Sequence, residues 1–506
     1  MSGTVTDNNG DPLIGASVFV VGTTVGTVTD FNGQFTLTVP DVSNQIQVSY
    51  TGYESQIITL GASNTLDVSM AEGVDLGEVV VTGLGIKKEK KALGYAQTTV
   101  TSEALELKSE GDITRVLRGK VPGLDISATS GLAGSGTNVT VRGLSSISGS
   151  TQPLFVVDGV PFLSGTAQDR SVNAGNAAAS SRFLDLDPKN IAEVSVLRGL
   201  SATVLYGERG RNGVILITTK TGSEVDVNKK FNIAIEQGIY ANKIASLPED
   251  QDLYGNGFDN SASAAFSNWG APFDQPGKNN LAADGTIKHP YDRADLNGVY
   301  PEYIGARFPY KPYDNLQNFF ETGVISTTSV SLSNRISDGT SVSASYAYRD
   351  EGGFVPLSNL KRHNFSLGIH TQLANKIKLT GTFNYVDMDR EAPPAGISTS
   401  SNPDGGAASL FSNVFYTPRS ISIQDLAYET PDHKSIFYRG GNDIQHPLWT
   451  LANTRDAETL NRFYGTIALG YDLNKSMSLN YKLGIDQINQ QYRYEINRGG
   501  RQITDG

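Results

Sequence analysis

The chain has 506 residues, is 38% hydrophobic and 18% charged, and carries a formal net charge of −11. Its length predicts about two to four domains. The acidic balance, with no basic patch, excludes the footprint a nucleic-acid partner needs. Cys is absent, which excludes disulfides, thiolate metal sites and a Cys nucleophile. Gly numbers 54, Tyr 22 and Phe 20, a composition typical of many short strands in sandwiches and barrels. No apolar run reaches the length of a membrane helix, a test that a β-barrel evades because only alternate residues face lipid. No signal peptide is visible; in an exported protein the targeting segment would lie upstream of MSGTVTDNNG.

Residues 1–72 read as a small β-sandwich. GTVTDNNG (Gly3–Gly10) recurs as GTVTDFNG (Gly26–Gly33), each a strand running into an Asn-Gly turn. Asp7, Asn9 and Asp11 resemble a calcium loop but lack a further carboxylate, so a polar turn is expected.

Residues 73–94 form a linker. A strand-like run, Glu78–Thr82, is followed by Gly83, Gly85 and the charge cluster Lys87, Lys88, Glu89, Lys90, Lys91. Nothing local lets Val79–Val81 bury their side chains or pair their backbone. The run reads either as an unpaired strand open to strand addition by a partner, or as an edge strand before a solvated charge run.

Residues 95–224 read as a compact α/β unit. Asp112 is expected to cap a helix ending near Pro122-Gly123. Leu124–Ala128 and Asn138–Arg142 read as strands. Pro153–Val157 turns at Asp158-Gly159 into Val160–Phe162, a type I′ hairpin signal. Ser201 is expected to cap a helix over Ala202–Tyr206 closed by Gly207. Gly213–Thr219 suits a buried central strand. GLAGSG (Gly131–Gly136) lacks a P-loop ending and reads as a flexible loop. No catalytic set emerges. Arg142, Arg198, Arg209 and Arg211 either pair with carboxylates on a surrounding wall or lie on the surface of a free-standing domain.

Residues 225–506 contain about seven strands of alternating polarity, around Phe231–Glu236, Ser329–Ser333, Ser341–Tyr348, Phe365–Ile369, Ile377–Tyr385, Phe463–Tyr471 and Met477–Ile485. Short turns near Asp338-Gly339, Asn375 and Asn474 alternate with long connections over about Lys243–Glu321, Glu351–Leu360 and Arg390–Asn461, the habit of outer-membrane barrels. Tyr346, Tyr348, Phe365, Phe383, Tyr385 and Phe463 gather at the long-loop ends, as an interfacial girdle would. About seven strands cannot close a barrel; one wide enough to enclose such a plug has about 22. The expected fold is therefore mainly β: an N-terminal β-sandwich, an α/β plug and the first strands of a 22-stranded outer-membrane β-barrel.

These segments in this order, GTVTD…NG, EVVVTG, RGKVPGLDI, VRG, FVVDGVP, IAEVSVLRG and LYGERGRNGVILITT, resemble SusC/RagA-type TonB-dependent outer-membrane transporters. The resemblance implies a carboxypeptidase-regulatory-like domain at the N-terminus, lying in the periplasm. It implies that Glu78, Val79, Val80, Val81, Thr82 and Gly83 form the TonB box. The plug motif it implies comprises Arg142, Gly143, Asp158, Gly159, Arg198, Tyr206, Gly207, Arg209, Asn212 and Gly213. Glu208 and Gly210 stand where the family often has Ser and small residues.

Implied partners are TonB with its inner-membrane ExbB/ExbD-type complex, a SusD-like surface lipoprotein, outer-membrane lipid, and an oligosaccharide or peptide substrate. No cofactor, metal or enzyme activity is implied. The implied function is import of an oligomeric nutrient, with TonB pulling the Glu78–Gly83 strand to move the plug. The alternative is a β-rich surface protein that binds glycans without transport. A glycan hydrolase lacks a visible carboxylate pair, and the five His residues lack metal-ligand spacing. Trp269, Tyr300, Tyr303, Tyr310 and Tyr313 are candidate substrate-stacking residues, against the alternative that they pack within their own loops.

Overall fold

The computed structural model describes the chain except residues 22, 24, 40–44, 51–52, 54, 62, 64, 72–78, 82–86, 90–96, 107–109, 129–130, 147–150, 165–179, 199–202, 224–230, 338, 374–376, 394–409, 441–443, 475–476 and 501–506. It divides into two compact units, residues 1–82 with 86–94, and residues 83–85 with 95–506.

The first unit opens with β1 (Ser2–Asp7), β2 (Ser17–Val20), β3 (Gly26–Val28), β4 (Gln34–Thr36), β5 (Gln45–Ser49), β6 (Gln56–Thr59) and β7 (Thr65–Met70). They form a three-stranded sheet, β4-β1-β7, and a four-stranded sheet, β3-β2-β5-β6. Alternate residues such as Val5, Val18, Val20, Phe35, Ile46, Val48, Val68 and Met70 make one apolar core, as two sheets with one buried face each require. The repeated turns share one device. Asp7 Oδ1 accepts from the Asn9 and Asp11 amides at 2.8 Å each. Asp30 Oδ1 accepts from the Asn32 and Gln34 amides at 2.9 and 2.8 Å. Each carboxylate is engaged by its own turn, in keeping with the polar-turn reading.

The linker departs from expectation. Val79–Val81 (β8) is paired, antiparallel, with Lys87–Glu89 (β9), in the register Val79↔Glu89, Val80↔Lys88, Val81↔Lys87. Sequence patterning offers this run no backbone partner because Lys and Glu have low strand propensity; the ladder's main-chain bonds need no apolar side chain. Glu78, Thr82 and Gly83 lie outside the described residues.

The second unit begins with β10 (Gln97–Thr101), β11 (Leu124–Ala128), β12 (Thr137–Val141), β13 (Leu154–Val157), β14 (Val160–Phe162), β15 (Ile191–Leu197) and β16 (Val214–Thr219). Five of these form a sheet in the order β10-β15-β16-β13-β14, and β11 pairs with β12. β16 is central, and its run Val214–Ile217 is buried, as a continuous apolar strand predicts. Asp112 caps a helix by accepting from the Thr114 amide at 2.9 Å, but that helix spans only Ile113–Val116. The helix expected over Ala202–Tyr206 is instead a 3-10 segment, Val204–Gly210, interrupted at Gly207 by φ 57° and ψ −143°; residues 201 and 202 lie outside the described residues.

The wall comprises β17 (Phe231–Asn242), then, after the short loop strands β18 (Gly257–Phe258), β19 (Ser261–Ala262), β20 (Thr286–Lys288) and β21 (Arg307–Pro309), the long strands β22 (Gly323–Ser337), β23 (Thr340–Gly352), β24 (Asn359–Leu373), β25 (Ile377–Ala392), β26 (Thr454–Asn474) and β27 (Met477–Ile496). The seven long strands pair in chain order, all antiparallel. Met477, Leu479, Tyr481, Leu483 and Ile485 line an exposed outer face. Tyr346, Phe365, Tyr385 and Phe463 occupy one cross-strand row. On β25 this row ends the outward apolar series; Asp387, Asp389 and Glu391 continue the same face. The aromatics thus stand at an apolar-to-polar boundary, and the strands run on past it as a polar collar. That collar, with charges on both faces, is why the strands are longer than their alternating cores suggest.

The long connections also fold. Leu281, Ile287, Tyr291, Phe308, Tyr310, Leu316, Phe319, Leu410, Val414, Ile421, Ile423, Phe437 and Tyr438 share a second core, which aperiodic loop sequence does not announce.

Candidate functional site

The site is the seam where the plug meets the inner face of the wall. It begins at the Asp158-Gly159 turn, where φ is 50° and 82°, the left-handed pair that a type I′ hairpin demands. Asp158 Oδ1 accepts from the Thr219 amide at 2.9 Å, and Oδ2 from Thr219 Oγ1 at 2.8 Å. The carboxylate therefore ties the hairpin to the end of β16. Its Oδ2 also accepts from Thr382 Oγ1 of β25 at 2.8 Å, and Lys482 Nζ of β27 donates to the Asp158 carbonyl at 2.8 Å. One turn residue reaches two wall strands.

Beside it, four successive wall strands each bring an arginine to the interior: Arg349, Arg362, Arg390 and Arg462, all buried. Arg462 Nη1 lies 2.8 Å from Asp185 Oδ2 of the plug. Its Nε and Nη2 bind both oxygens of Asp486 on β27 at 2.8 and 2.6 Å, and Nη2 donates to the Leu163 carbonyl at 3.0 Å. The guanidinium also stacks 3.5 Å from the Phe162 ring centroid. Arg390 Nε donates to the Ala133 carbonyl at 2.8 Å, and its Nη1 lies 3.8 Å from Glu458 on β26. Arg362 Nη1 donates to the Gly111 carbonyl at 3.1 Å and to that of Leu184. From the plug side, Arg182 Nη2 reaches Glu458 Oε1 at 2.9 Å. Buried charges are tolerable only when paired and hydrogen-bonded in this way.

GLAGSG is part of the seam rather than a flexible loop. Leu132–Gly136 is buried, and the Ala133 amide donates to Ser358 Oγ at 2.9 Å. Gly134 has φ 63°, and a Cβ there would stand 2.4 Å from Leu360 Cδ1. Glycine here permits the close approach of plug and wall.

The arginines singled out in the sequence are not the ones that cross the seam. Arg198 donates to Thr98 Oγ1 at 2.9 Å and to the Pro122 carbonyl. Arg211 pairs with Glu208 at 3.3 Å. Arg209 is exposed, and Arg142 (φ 62°) precedes Gly143 (φ 90°) at a turn after β12. Among the described residues it is Arg182, which no sequence motif singles out, that meets a wall carboxylate from the plug. Tyr206 packs on Val156, Leu197, Val214 and Leu216. Asn212 accepts from Ser145 Oγ at 2.8 Å and donates to the Gln152 carbonyl at 3.3 Å, and Gly213 has φ 100°. These motif residues shape the plug itself. The wall arginines carry a signal, one Arg in the polar phase of each of four consecutive strands, but their partners do not.

Four of the five candidate stacking residues serve the loop core. Tyr310 is 4% exposed, shares its single hydroxyl proton between the Asn256 and Ala271 carbonyls, 3.1 Å from each, and has its hydroxyl pushed up to about 12 by burial. Tyr303 stacks on His289 with centroids 4.1 Å apart. Tyr300 donates to the Glu429 carbonyl, and Tyr313 to that of Pro309 at 3.3 Å. Trp269 is 60% exposed.

Residues 1–81 match the CarboxypepD_reg-like domain and residues 89–214 the TonB-dependent Receptor Plug Domain. The chain is 27% identical to TonB-dependent receptor P26 of Formosa agariphila, over 99% of this chain and 48% of that protein. It is also 27% identical to TonB-dependent receptor SusC of Bacteroides thetaiotaomicron, over 93% of this chain and 42% of that protein. It thus spans about half the length of the curated relatives it matches. Its fold is like that of the RagAB peptide importer in the open-open state, with a TM-score of 0.61, 21% identity, and coverage of 82% of this chain and 43% of the other. The chain thus carries a CarboxypepD_reg-like domain followed by a TonB-dependent Receptor Plug Domain, and over nearly its whole length it is similar to TonB-dependent receptors of the SusC/RagA type.

Proposed function

We propose that this chain works in TonB-dependent import of an oligomeric nutrient, a glycan or a peptide, across the bacterial outer membrane. The observation that carries the reading is the polar seam centred on Arg462 and Asp185, which seats a folded plug on the inner face of a wall whose outer face exposes apolar side chains. The seam combines these directional polar bonds, which water can take over as the plug shifts, with an apolar contact in which Leu360, Val386, Met388, Leu460 and Tyr464 of the wall pack into the plug core.

In this reading residues 1–72 form the periplasmic domain, 73–94 the linker with the TonB box at Glu78–Gly83, 95–224 the plug and 225–506 part of the barrel. TonB, energised by an ExbB/ExbD-type complex, grips the box. A SusD-like lipoprotein covers the folded loops, and the outer face of the wall meets lipid. Substrate enters between the loops and the plug, and Trp269, the exposed member of the five aromatic candidates, is the candidate contact on the loops. The relatives support this by their names, as TonB-dependent receptors. A surface glycan-binding protein would have no use for a plug tied to its wall.

The test is binding of the periplasmic domain of TonB to the folded chain and to V79P/V80P. Successive main-chain N–H groups of a strand point to opposite edges, so two adjacent prolines remove a donor from each edge. Binding to the native chain and loss in the variant is expected. No binding by the native chain, or equal binding by both, refutes a handle at this strand.

A further inference from the structure

The pairing of β8 with β9 bears on how a partner strand can reach the handle, a question that rests on the proposed TonB contact. β8 and β9 make a two-stranded sheet of their own, so among the described residues each keeps one edge without a strand. The two free edges differ in chemistry. β8 is Val79, Val80, Val81, and β9 is Lys87, Lys88, Glu89. Charged residues, lysine above all, are what proteins place on edge strands to discourage further pairing, whereas an uncharged β-branched strand invites it. We infer that the partner's edge strand adds to the free edge of β8 while β9 stays in place, so that β8 becomes the middle strand of a three-stranded sheet and β9 is part of the binding unit.

This arrangement has a thermodynamic role. A lone hairpin of this length is only marginally stable in water, so β9 does not lock β8. It raises the fraction of time for which Val79–Val81 is already extended, and ordering completed before binding appears as affinity. The opposite arrangement, in which the partner displaces β9, makes β9 a competitor. The two predict opposite signs for the same change.

The experiment measures affinity of the full chain for the periplasmic domain of TonB, with hydrogen exchange across residues 79–89 as a second readout. K87P/K88P removes one main-chain donor facing β8 whichever residue supplies it. K90P/K91P, just beyond the paired residues, is the control. The expected result is that K87P/K88P binds roughly three- to tenfold more weakly, with faster exchange at Val79–Val81, while the control binds as the native chain does. Tighter or unchanged binding by K87P/K88P overturns the inference. So does an equal loss in the control, or exchange at Val79–Val81 that is the same in the native chain and K87P/K88P. Those results leave the TonB-coupled reading intact if the native chain binds; failure of the native chain to bind defeats both.

Discussion

Arg462 of the wall and Asp185 of the plug meet at 2.8 Å with neither side chain exposed to solvent. Removing one member of such a pair leaves the other charge buried and unpaired, typically at about 3–5 kcal/mol. Arg462→Ala strips the nearer counter-charge from Asp185, which keeps Arg182 Nη1 at 3.6 Å, and takes the bidentate partner from Asp486. Urea unfolding is expected to show a loss of that size. Pairing it with Asp185→Ala is expected to recover part of the loss, since the double variant no longer buries an Asp185 carboxylate deprived of its nearer partner. Additive losses would show that the contact contributes little.

The same pair marks the limit of what the sequence can show. Wall strands and the Asp158-Gly159 hairpin are legible because period-two polarity and left-handed turn residues are local signals. The buried arginines are visible as residues in strand polar phases, but Asp185 lies 277 positions from Arg462, and no local rule links them. The β8–β9 ladder is hidden for a different reason: its second strand is Lys-rich, and main-chain pairing leaves no trace in side-chain polarity. Tyr310 illustrates the loops, where a core assembled from two distant aperiodic segments reads as a set of exposed aromatics.

Asp158 separates charge from geometry at the hairpin. Asp158→Ala removes the acceptor of the Thr219 amide and of two hydroxyls, and places Ala at φ 50°. The unsatisfied amide alone is worth about 1–3 kcal/mol, and the left-handed backbone adds about 1–2 kcal/mol. Asp158→Asn keeps an oxygen for the amide, offers a donor to the two hydroxyls, and tolerates the left-handed region. Thermal unfolding is expected to place the Asn variant within about 1 kcal/mol of the native chain and the Ala variant well below it. Equal losses would mean that the negative charge, not the hydrogen-bond geometry, holds the turn.

His446 makes the loop core sensitive to acid. Its Nδ1 accepts from the Leu448 amide at 3.1 Å, capping the helix Pro447–Asn453. The ring is fully buried and packs 4.3 Å from Phe437. Burial pushes its pKa down to about 3, against about 6.5 in an unfolded chain. The unfolded chain therefore takes up the proton first. The contribution to stability is whole above about pH 6.5 and declines as pH falls toward 3, by at most about 1.4 kcal/mol per pH unit. His446→Asn retains a capping acceptor and removes this titration. Urea unfolding can be followed through Trp449, which is buried and donates from Nε1 to the His433 carbonyl at 2.9 Å. Between about pH 7 and pH 5 the native loop core is expected to lose more stability than the Asn variant, because only the native chain gains this proton on unfolding. Parallel losses in the two proteins would show that His446 is not the acid-sensitive group.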